Sequence, residues 1–427
     1  MGKLVNFVAG AELNKRPDKA NAYLINVPEH GSTPRRIEKA VSLHQDVQPE
    51  YLMVDSGGYQ LLTAEKKGWK ITHDPDQKLI YKIGKEINLA PKHVMEVASK
   101  LGADIVIGLD FPVGKFKTTA ERDKEFFKKL PFNVCRAHES ATWKRMLCPD
   151  ALLFLPFQGY ITKHIDVFFS QIAGLQYDGM AIPVREIKLH ELALFFTRFY
   201  QREINRVHLL GTISLLKIAM AAFMARGMFD WVSLDAATWN KAAFYCGFMS
   251  PKNLTRVDLR RSVKLDPGIF NDCPCRYCQG RSFSEIQSLP NKEKFELLRQ
   301  HNWWSIDKIV SDLWANSTDL IQLERFLKDR DVKPADIDDL INTLALVDCL
   351  KNDDIEVLQT ILTPIPKIRI QSRWPRMKSN PGSWPRKPTR SSRQPTEQYR
   401  RLTQDADLQQ KKEQIPKFKK EKSNYEY

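Results

Sequence analysis

Short apolar runs alternate along the chain with longer stretches whose apolar positions recur every three or four residues. The first pattern predicts buried strands, and the second predicts amphipathic helices. The predicted strands are residues 4–10, 51–58, 104–111, 151–159, 179–183, 206–211, 229–235 and 256–263, and the predicted helices include 90–101, 118–130, 161–175, 187–203 and 213–226. This regular alternation favours a parallel sheet, and the number of repeats favours a (β/α)8 TIM barrel of the α/β class.

Polar residues close four of these apolar runs. They are Asp55, Asp110, Gln158 and Asp235, each at the end of a predicted strand. In a TIM barrel the carboxyl ends of the strands form the face that carries the active site. The pattern therefore predicts that these four side chains converge on one mouth of the barrel.

Three cysteines lie close together in the run Cys273-Pro-Cys275-Arg-Tyr-Cys278, and His301 follows 23 residues after the last of them. Three thiolates and an imidazole form the ligand set of a closed, tetrahedral structural zinc site. We expect His301 to arrive from a helix over 291–300. A cluster of buried or disulfide-bonded cysteines is the alternative. The other four cysteines stand singly, which is typical of free buried thiols in a reducing, cytosolic compartment.

The composition separates a globular body from a charged C-terminal tail. Hydrophobic residues make up 42% of the 427 positions, and the formal net charge is +15. We expect a barrel over 1–310 that includes the zinc site at 273–301, a helical extension over 311–363, and a disordered basic tail over 364–427. The tail carries 17 Lys and Arg against 6 Asp and Glu.

A basic tail of this kind is suited to attract a polyanion such as nucleic acid, and a solvating tail without a partner is the alternative. No apolar run reaches the length of a signal peptide or a membrane span, so no membrane association is expected.

The run Asp55-Ser56-Gly57-Gly58-Tyr-Gln places a carboxylate at a tight turn whose glycines let a planar ligand approach, although a helix N-cap also accounts for these residues. Together with the cysteine pattern, it resembles the tRNA-guanine transglycosylase superfamily, whose barrel carries Asp-Ser-Gly-Gly-Phe-Gln and a similar zinc site. Further similar segments follow in the same order: Ile107-Gly-Leu-Asp110, Leu155-Pro-Phe-Gln158-Gly159, Gly179-Met-Ala-Ile182-Pro183 and His208-Leu-Leu-Gly211.

The resemblance implies a pentosyltransferase that exchanges a base and keeps the configuration of the sugar. Retention needs two inversions, so one carboxylate forms a covalent glycosyl intermediate. The resemblance assigns this attack to Asp235 and the proton of the leaving and entering bases to Asp55. The implied substrate-binding residues are Ser56, Gly57, Asp110, Gln158, Gly159 and Ile182, with Asp110 and Gln158 on the Watson–Crick edge of the base.

The nucleophile has two candidates. Asp230 in Met-Phe-Asp-Trp is similar to the bacterial members, whereas Asp235 in Ser-Leu-Asp-Ala-Ala-Thr-Trp is similar to the continuation in archaeal members. An active residue belongs at the carboxyl end of its strand. Because the strand predicted at 229–235 ends at Asp235, we favour Asp235.

The residues that follow Asp235 are most similar to the DNA-modifying branch of the superfamily, the 7-deazaguanine DNA transglycosylases (DpdA). This implies DNA as the polymer, a 7-deazaguanine such as preQ0 as the entering base, and an accessory ATPase-like protein as a partner. A tRNA substrate is the alternative. A non-catalytic, zinc-stabilised subunit that only binds nucleic acid is a further alternative, and the presence of both Asp55 and Asp235 argues against it.

Overall fold

A closed parallel barrel forms the centre of the computed structural model, which describes residues 2–9, 17, 20–116, 118–212, 214–260, 273–352 and 355–362. Its strands are β1 (Lys3–Val8), β2 (Ala22–Asn26), β3 (Tyr51–Asp55), β4 (Ile105–Ile107), β5 (Leu152–Pro156), β6 (Gly179–Pro183), β7 (Arg206–Leu210) and β8 (Trp231–Ala236). They pair in this order, and β1 also pairs with β8, which closes the sheet. The TIM barrel prediction is confirmed.

Side chains alternate between two layers along each strand, as the pleat of a strand requires. Phe7 and Met53 belong to a cluster inside the barrel. Leu52 and Val54 belong instead to the large core between the strands and the surrounding helices. Asp55 lies two residues after Met53, so it continues the inward-facing row at the carboxyl end of β3.

Helices cover the outside of the barrel. They are α1 (Val27–His30), α2 (Pro34–Val47), α3 (Gly58–Lys66), α4 (Pro91–Leu101), α5 (Thr119–Leu147), α6 (Thr162–Gln171), α7 (Leu189–Gln201), α8 (Leu215–Gly227) and α9 (Thr238–Phe244). The helix predicted at 118–130 is too short, because α5 continues through Pro131 to Leu147. Buried residues on both sides of Pro131, such as Leu130 and Ala137, pack into the outer core and hold the helix together.

One barrel strand was missed, and one predicted strand is wrong. The second barrel strand, β2, was not predicted, because periodicity alone does not separate its short apolar run from other buried segments. The run predicted as the eighth strand, 256–263, contributes only Arg256–Asp258 to a strand, which pairs antiparallel with Gly247–Met249 outside the barrel. Its alternation of charged and apolar residues is typical of a half-exposed antiparallel strand rather than a buried parallel one. Residues 261–263 lie outside the described residues.

The strand numbers of the site residues change as a result. Asp55 closes the third barrel strand rather than the second, and Asp235 lies on the eighth rather than the seventh. Between β3 and β4 the chain also forms a small sheet of Lys70–Thr72, Ile80–Tyr81 and Glu86–Asn88.

The chain after the barrel is helical: α10 (Phe283–Ser288), α11 (Asn291–Asn316), α12 (Leu320–Lys328), α13 (Pro334–Leu350) and α14 (Ile355–Leu362). The boundary predicted at residue 310 falls inside the continuous helix α11. The predicted tail, 364–427, lies outside the described residues.

Within the described ranges, every helix is too short or too polar to cross a membrane. Two of the four single cysteines that we expected to be buried, Cys135 and Cys349, are exposed.

Candidate active site and metal centre

The four polar residues predicted at strand ends lie at the same end of the barrel. Asp55 is the last residue of β3, and Asp235 is the last but one of β8. Asp110 and Gln158 come shortly after β4 and β5. Since all strands of the barrel run in parallel, these positions belong to its carboxyl-terminal mouth.

Asp55 is partly buried at this mouth and is held from the neighbouring strand. Asn26, at the end of β2, donates a hydrogen bond from Nδ2 to Asp55 Oδ2 at 2.7 Å and a second one to Gln60 Oε1 at 3.2 Å. Burial raises the pKa of Asp55 to about 6; the hydrogen bond from Asn26 acts against this rise, and the charge of Asp235 adds to it. The charge of Asp235 is thus near enough to act on the ionisation of Asp55.

Asp235 is only 8% exposed and is held by its own neighbours. Its Oδ1 accepts a hydrogen bond from the backbone N–H of Gly211 at 2.9 Å and lies 3.3 Å from Nε2 of His208. The His208 ring is fixed in turn by a contact of 2.9 Å between Nδ1 and Oγ of Ser233. Both contacts of Asp235 involve Oδ1, so among the described residues its second oxygen, Oδ2, is available for chemistry.

Asp110 and Gln158 form a buried pair next to Asp55. Gln158 Nε2 donates to Asp110 Oδ2, and the backbone N–H of Val113 donates to Gln158 Oε1 at 3.4 Å. Burial raises the pKa of Asp110 to about 7, and the nearby charge of Asp55 is the second cause. A carboxylate and a carboxamide side by side offer the acceptors and donors that a purine edge requires.

Small residues make room for this pair. A side chain on Gly58 would place its Cβ 2.0 Å from Asp110 Oδ1. Gly57 adopts a φ of +92°, and a Cβ there would lie 2.4 Å from the ring of Pro28. A Cβ on Gly159 would lie 2.1 Å from the ring of Phe157. These glycines are therefore required by the backbone and by packing, whatever contacts they make with a ligand.

The two remaining predicted binding residues differ in position. Ser56 is 1% exposed, and its Oγ has no hydrogen-bond partner among the described residues, so it is available to a bound ligand. Ile182 is buried in the outer core between the strands and the helices. Its side chain does not face the mouth, and any contact with a base would have to come from its backbone.

Asp230 lies at the opposite end of the barrel from the mouth. It precedes the first residue of β8, and its backbone carbonyl accepts a hydrogen bond from the N–H of Lys3 at the start of β1. A strand rises about 3.3 Å per residue, so Asp230 and Asp235 are separated by roughly 16 Å along β8. Only Asp235 can act together with Asp55.

The predicted zinc ligands come together into one buried cluster. The ligand atoms of Cys273, Cys275, Cys278 and His301 all lie within 4.8 Å of one another. The three sulfurs are 3.6, 3.3 and 3.4 Å from Nδ1 of His301. Tetrahedral zinc with bonds of about 2.3 Å to sulfur and about 2.0 Å to nitrogen gives a sulfur-to-nitrogen distance of roughly 3.5 Å. The spacing therefore fits a zinc ion.

Residues around this cluster orient the histidine. Nε2 of His301 lies 2.8 Å from the backbone oxygen of Met249, so a proton on Nε2 leaves Nδ1 free to bind metal. The ring of Phe248 stacks on the imidazole with centroids 3.9 Å apart. The next residue, Asn302, is fully buried and binds the backbone of Met249 and also Trp239 of α9. The metal centre is thus tied to the helix that follows β8.

Cavities of the described residues also lie away from the mouth. One of about 530 Å³ is lined by Asn6, Tyr51 and Asp307 at the amino-terminal end of the barrel. We place the candidate site at the mouth nevertheless, because the interacting carboxylates are there.

Comparisons with known proteins agree with this geometry. The model of the TGT family, described as queuine tRNA-ribosyltransferase, matches residues 13–316. The chain belongs to this family. It is 23% identical over 301 residues to the tRNA-guanine(15) transglycosylase of Sulfolobus acidocaldarius, which covers 68% of this chain and 51% of the relative. It is 24% identical over 295 residues to the protein of the same name from Thermococcus kodakarensis, which covers 67% of this chain and 43% of the relative.

A third relative is the queuine tRNA-ribosyltransferase of Prochlorococcus marinus, with 21% identity over 268 residues, 60% of this chain and 67% of the relative. The chain thus spans about half the length of the archaeal relatives. All three relatives are named for tRNA. The resemblance seen in the sequence is confirmed at the level of the family, and the DNA-modifying branch is not shown.

Two residues of the site, Asn26 and His208, were not predicted as site residues from the sequence. Asn26 was missed because its strand was not predicted. His208 was noted only as part of a short similar segment, although it lies on the inward row of β7 next to Asp235. A polar residue inside an otherwise apolar strand is a usable signal, because a buried polar group needs a partner.

Proposed function

We propose that this protein is a guanine transglycosylase that replaces a guanine of a nucleic acid by another purine-like base. The observation that carries the proposal is the placement of Asp55 and Asp235 at one mouth, where the charge of Asp235 raises the pKa of Asp55. Two carboxylates with different environments at one anomeric carbon are the arrangement of a retaining glycosyl transfer. Family membership supports the same reaction.

In the first half of the proposed reaction, Oδ2 of Asp235 attacks C1′ of the nucleotide. The bond from C1′ to N9 breaks, and its electron pair leaves with the guanine. Asp55, whose pKa of about 6 allows it to carry a proton near neutral pH, donates that proton to the departing base. The products are free guanine and a sugar bound covalently to Asp235.

In the second half, the entering base gives its N9 proton to the Asp55 carboxylate. N9 then attacks C1′, and the bond from the sugar to Asp235 breaks, so that both carboxyl groups return to their initial states. The hydrogen bond from Gly211 to Oδ1 stabilises the carboxylate of Asp235 when it leaves. Two successive inversions retain the configuration of the sugar.

The base is recognised by Asp110 and Gln158. An ionised Asp110 accepts hydrogen bonds from N1–H and the 2-amino group of guanine, and Gln158 donates from Nε2 to O6 once its bond to Asp110 is exchanged. Ser56 Oγ supplies a further polar contact. A base within a duplex must leave the stack before it reaches this mouth.

For the polymer we propose tRNA first, because the three relatives quoted above are named for tRNA. DNA is the second candidate, favoured by the run Asp235-Ala-Ala-Thr-Trp239, and a 7-deazaguanine is the proposed entering base in either case. An accessory ATPase-like partner and a role for the basic tail in binding the polymer stay predictions. The Cys273–His301 cluster is proposed to hold a structural zinc.

The test is incorporation of labelled guanine into separate tRNA and DNA pools, followed by denaturing gels for a covalent protein–nucleic acid adduct. We expect label in tRNA, and loss of label and adduct in Asp235→Asn. Asp230→Asn is the matched control, because it removes an exposed carboxylate at the other end of the same strand and should keep full activity.

The possible outcomes separate the candidate functions. Label in DNA alone would replace the tRNA assignment by the DNA assignment. An adduct that persists in Asp235→Asn would exclude that residue as nucleophile. Binding of nucleic acid without exchange into either pool would favour the non-catalytic subunit.

A further inference from the structure

Asp110 does not lie in a regular element. It follows β4 by three residues, in a largely buried stretch from Gly108 to Val113 that is neither helix nor strand. The N–H of Gly108 still bonds to the carbonyl of Phe154 on β5, but the backbone groups beyond it need other partners, because each one left unpaired in the interior is costly. We call residues 108–113 the Asp110 segment.

Side chains of α5 bind the backbone of this segment. Ser140 Oγ accepts from the N–H of Leu109 at 3.3 Å. Asn133 makes two hydrogen bonds with the same residue: its Oδ1 accepts from the N–H of Phe111 at 2.7 Å, and its Nδ2 donates to the Phe111 carbonyl at 3.3 Å. These bonds flank Asp110 on both sides in the sequence.

Lys129 is the third side chain of α5 that binds the segment, and it donates from Nζ to the carbonyl oxygen of Pro112 at 2.8 Å. Lys129 is only 3% exposed, although a lysine is rarely buried. Its ammonium group also lies 4.0 Å from the centroid of the Phe111 ring and pairs with Glu65 at 3.0 Å and Glu125 at 3.2 Å.

The three side chains lie on one face of α5. Positions 129, 133 and 140 are separated by four and seven residues, which is the spacing of a single helical stripe. This stripe is buried among apolar neighbours such as Leu130 and Ala137, where an apolar side chain would pack without the desolvation cost of a polar one. The polar stripe is therefore explained by the segment that it binds.

The charge of Lys129 also acts on Asp110. Burial and the charge of Asp55 raise the pKa of Asp110 to about 7, whereas Lys129 lowers it. Of the other groups that face Asp110, Gln158 and Gly58 are neutral. Only the ionised carboxylate accepts two hydrogen bonds from guanine. The positive charge of Lys129 therefore favours the form of Asp110 that binds the base.

We infer that Lys129, Asn133 and Ser140 are positioning residues for base recognition, because they fix the backbone on both sides of Asp110. The positive charge of Lys129 also favours the ionised carboxylate of Asp110. The inference rests on the proposed role of Asp110 in binding the base. It predicts that the stripe affects the binding of free guanine much more than the binding of the nucleic acid, because much of the affinity for a nucleic acid comes from its phosphates.

The first experiment compares Asn133→Leu with the wild type. Removing both bonds to Phe111 should raise the KM for guanine by about 10-fold to 100-fold, whereas the KM for the nucleic acid should change less than about 2-fold. The amides of residues 109–113 should exchange with deuterated water faster in the variant. Thr197→Val is the matched control, because it removes a buried hydroxyl on α7 that bonds only within its own helix.

The second experiment uses Lys129→Met and Lys129→Arg to separate charge from packing. Guanine binding requires the Asp110 carboxylate, so binding weakens as the pH falls through about 7 in the wild type. Without the cation the pKa of Asp110 rises, and in Lys129→Met this loss of binding should begin at higher pH. Lys129→Arg keeps the charge and should restore the wild-type profile. Glu65 and Glu125 keep their charges in both variants.

Three results would overturn the inference: unchanged amide exchange in Asn133→Leu, faster exchange with an unchanged KM for guanine, or the same pH profile in Lys129→Met and the wild type. A wild-type protein that neither exchanges nor binds guanine would remove the proposed function instead. In that case the amide exchange of residues 109–113 would still decide whether α5 holds the segment.

Discussion

Asn302 offers the sharpest test of how the metal centre supports the mouth of the barrel. It is fully buried on α11, and its side chain makes three hydrogen bonds to backbone groups. Its Oδ1 accepts from the N–H of Met249 at 2.8 Å, and its Nδ2 donates to the carbonyls of Trp239 and Gly247 at 3.1 and 2.9 Å. One side chain thus joins α11, the helix that carries His301, to α9 and to the strand Gly247–Met249, whose last carbonyl contacts His301.

The substitution Asn302→Leu keeps the branched shape of the side chain and removes all three bonds. A lost hydrogen bond costs about 1 kcal/mol, and a buried group left unpaired costs more, so we expect the free energy of unfolding to fall by about 3 kcal/mol or more. Asn316→Leu on the same helix is the matched control. Its Nδ2 donates only to the carbonyl of Asp312, one turn earlier, at 2.8 Å, and we expect a loss of about 1 kcal/mol or less.

Urea denaturation followed by tryptophan fluorescence measures both values, and release of zinc to a coloured chelator measures the effect on the metal. Release should be faster in Asn302→Leu, because the carbonyl of Met249 that orients His301 is held by Asn302. If Asn302→Leu and Asn316→Leu destabilise the protein equally and release zinc at the same rate, Asn302 does not link the two parts.

Two further changes test the mouth and the metal. Gly58→Ala should lower base exchange by about 100-fold, because its Cβ would meet the carboxylate of Asp110 and displace it, whereas Gly227→Ala has open space around it and should stay active in the same assay. Equal activities would show that Asp110 need not occupy this place. Metal analysis should find about one zinc per chain, lost in Cys275→Ser and retained in Cys349→Ser, an exposed cysteine away from the cluster. Retention of zinc in both would exclude the cluster as its site.

The features that can be predicted from the sequence are those that depend on residues close together along the chain. The metal ligands can be found because three cysteines within six residues, followed by a histidine, are typical of a zinc site, and the structure brings them to His301 as expected. Asp55 and Asp235 can be found because each closes an apolar strand, and the parallel barrel places such ends on one face.

The features that the sequence does not reveal depend on contacts between distant segments. Asn26 supports Asp55 across the pairing of β2 with β3, and five residues are too few to predict that pairing. In the sequence, Lys129 and Asn133 resemble the polar side of an amphipathic helix, which ordinarily faces water. Only the fold shows that this side faces the Asp110 segment, because that segment offers backbone groups instead of a hydrophobic surface.

The different roles proposed for the two carboxylates follow from their surroundings rather than from their order in the chain. Burial raises the pKa of Asp55 to about 6 against the opposing hydrogen bond from Asn26, and this value allows it to exchange a proton. Asp235 accepts a backbone hydrogen bond from Gly211 next to the His208 ring, and donors of this kind favour a carboxylate that attacks and later leaves as an anion. Asp55 is therefore suited to act as acid and base, and Asp235, whose carboxylate is held by the Gly211 hydrogen bond, as nucleophile.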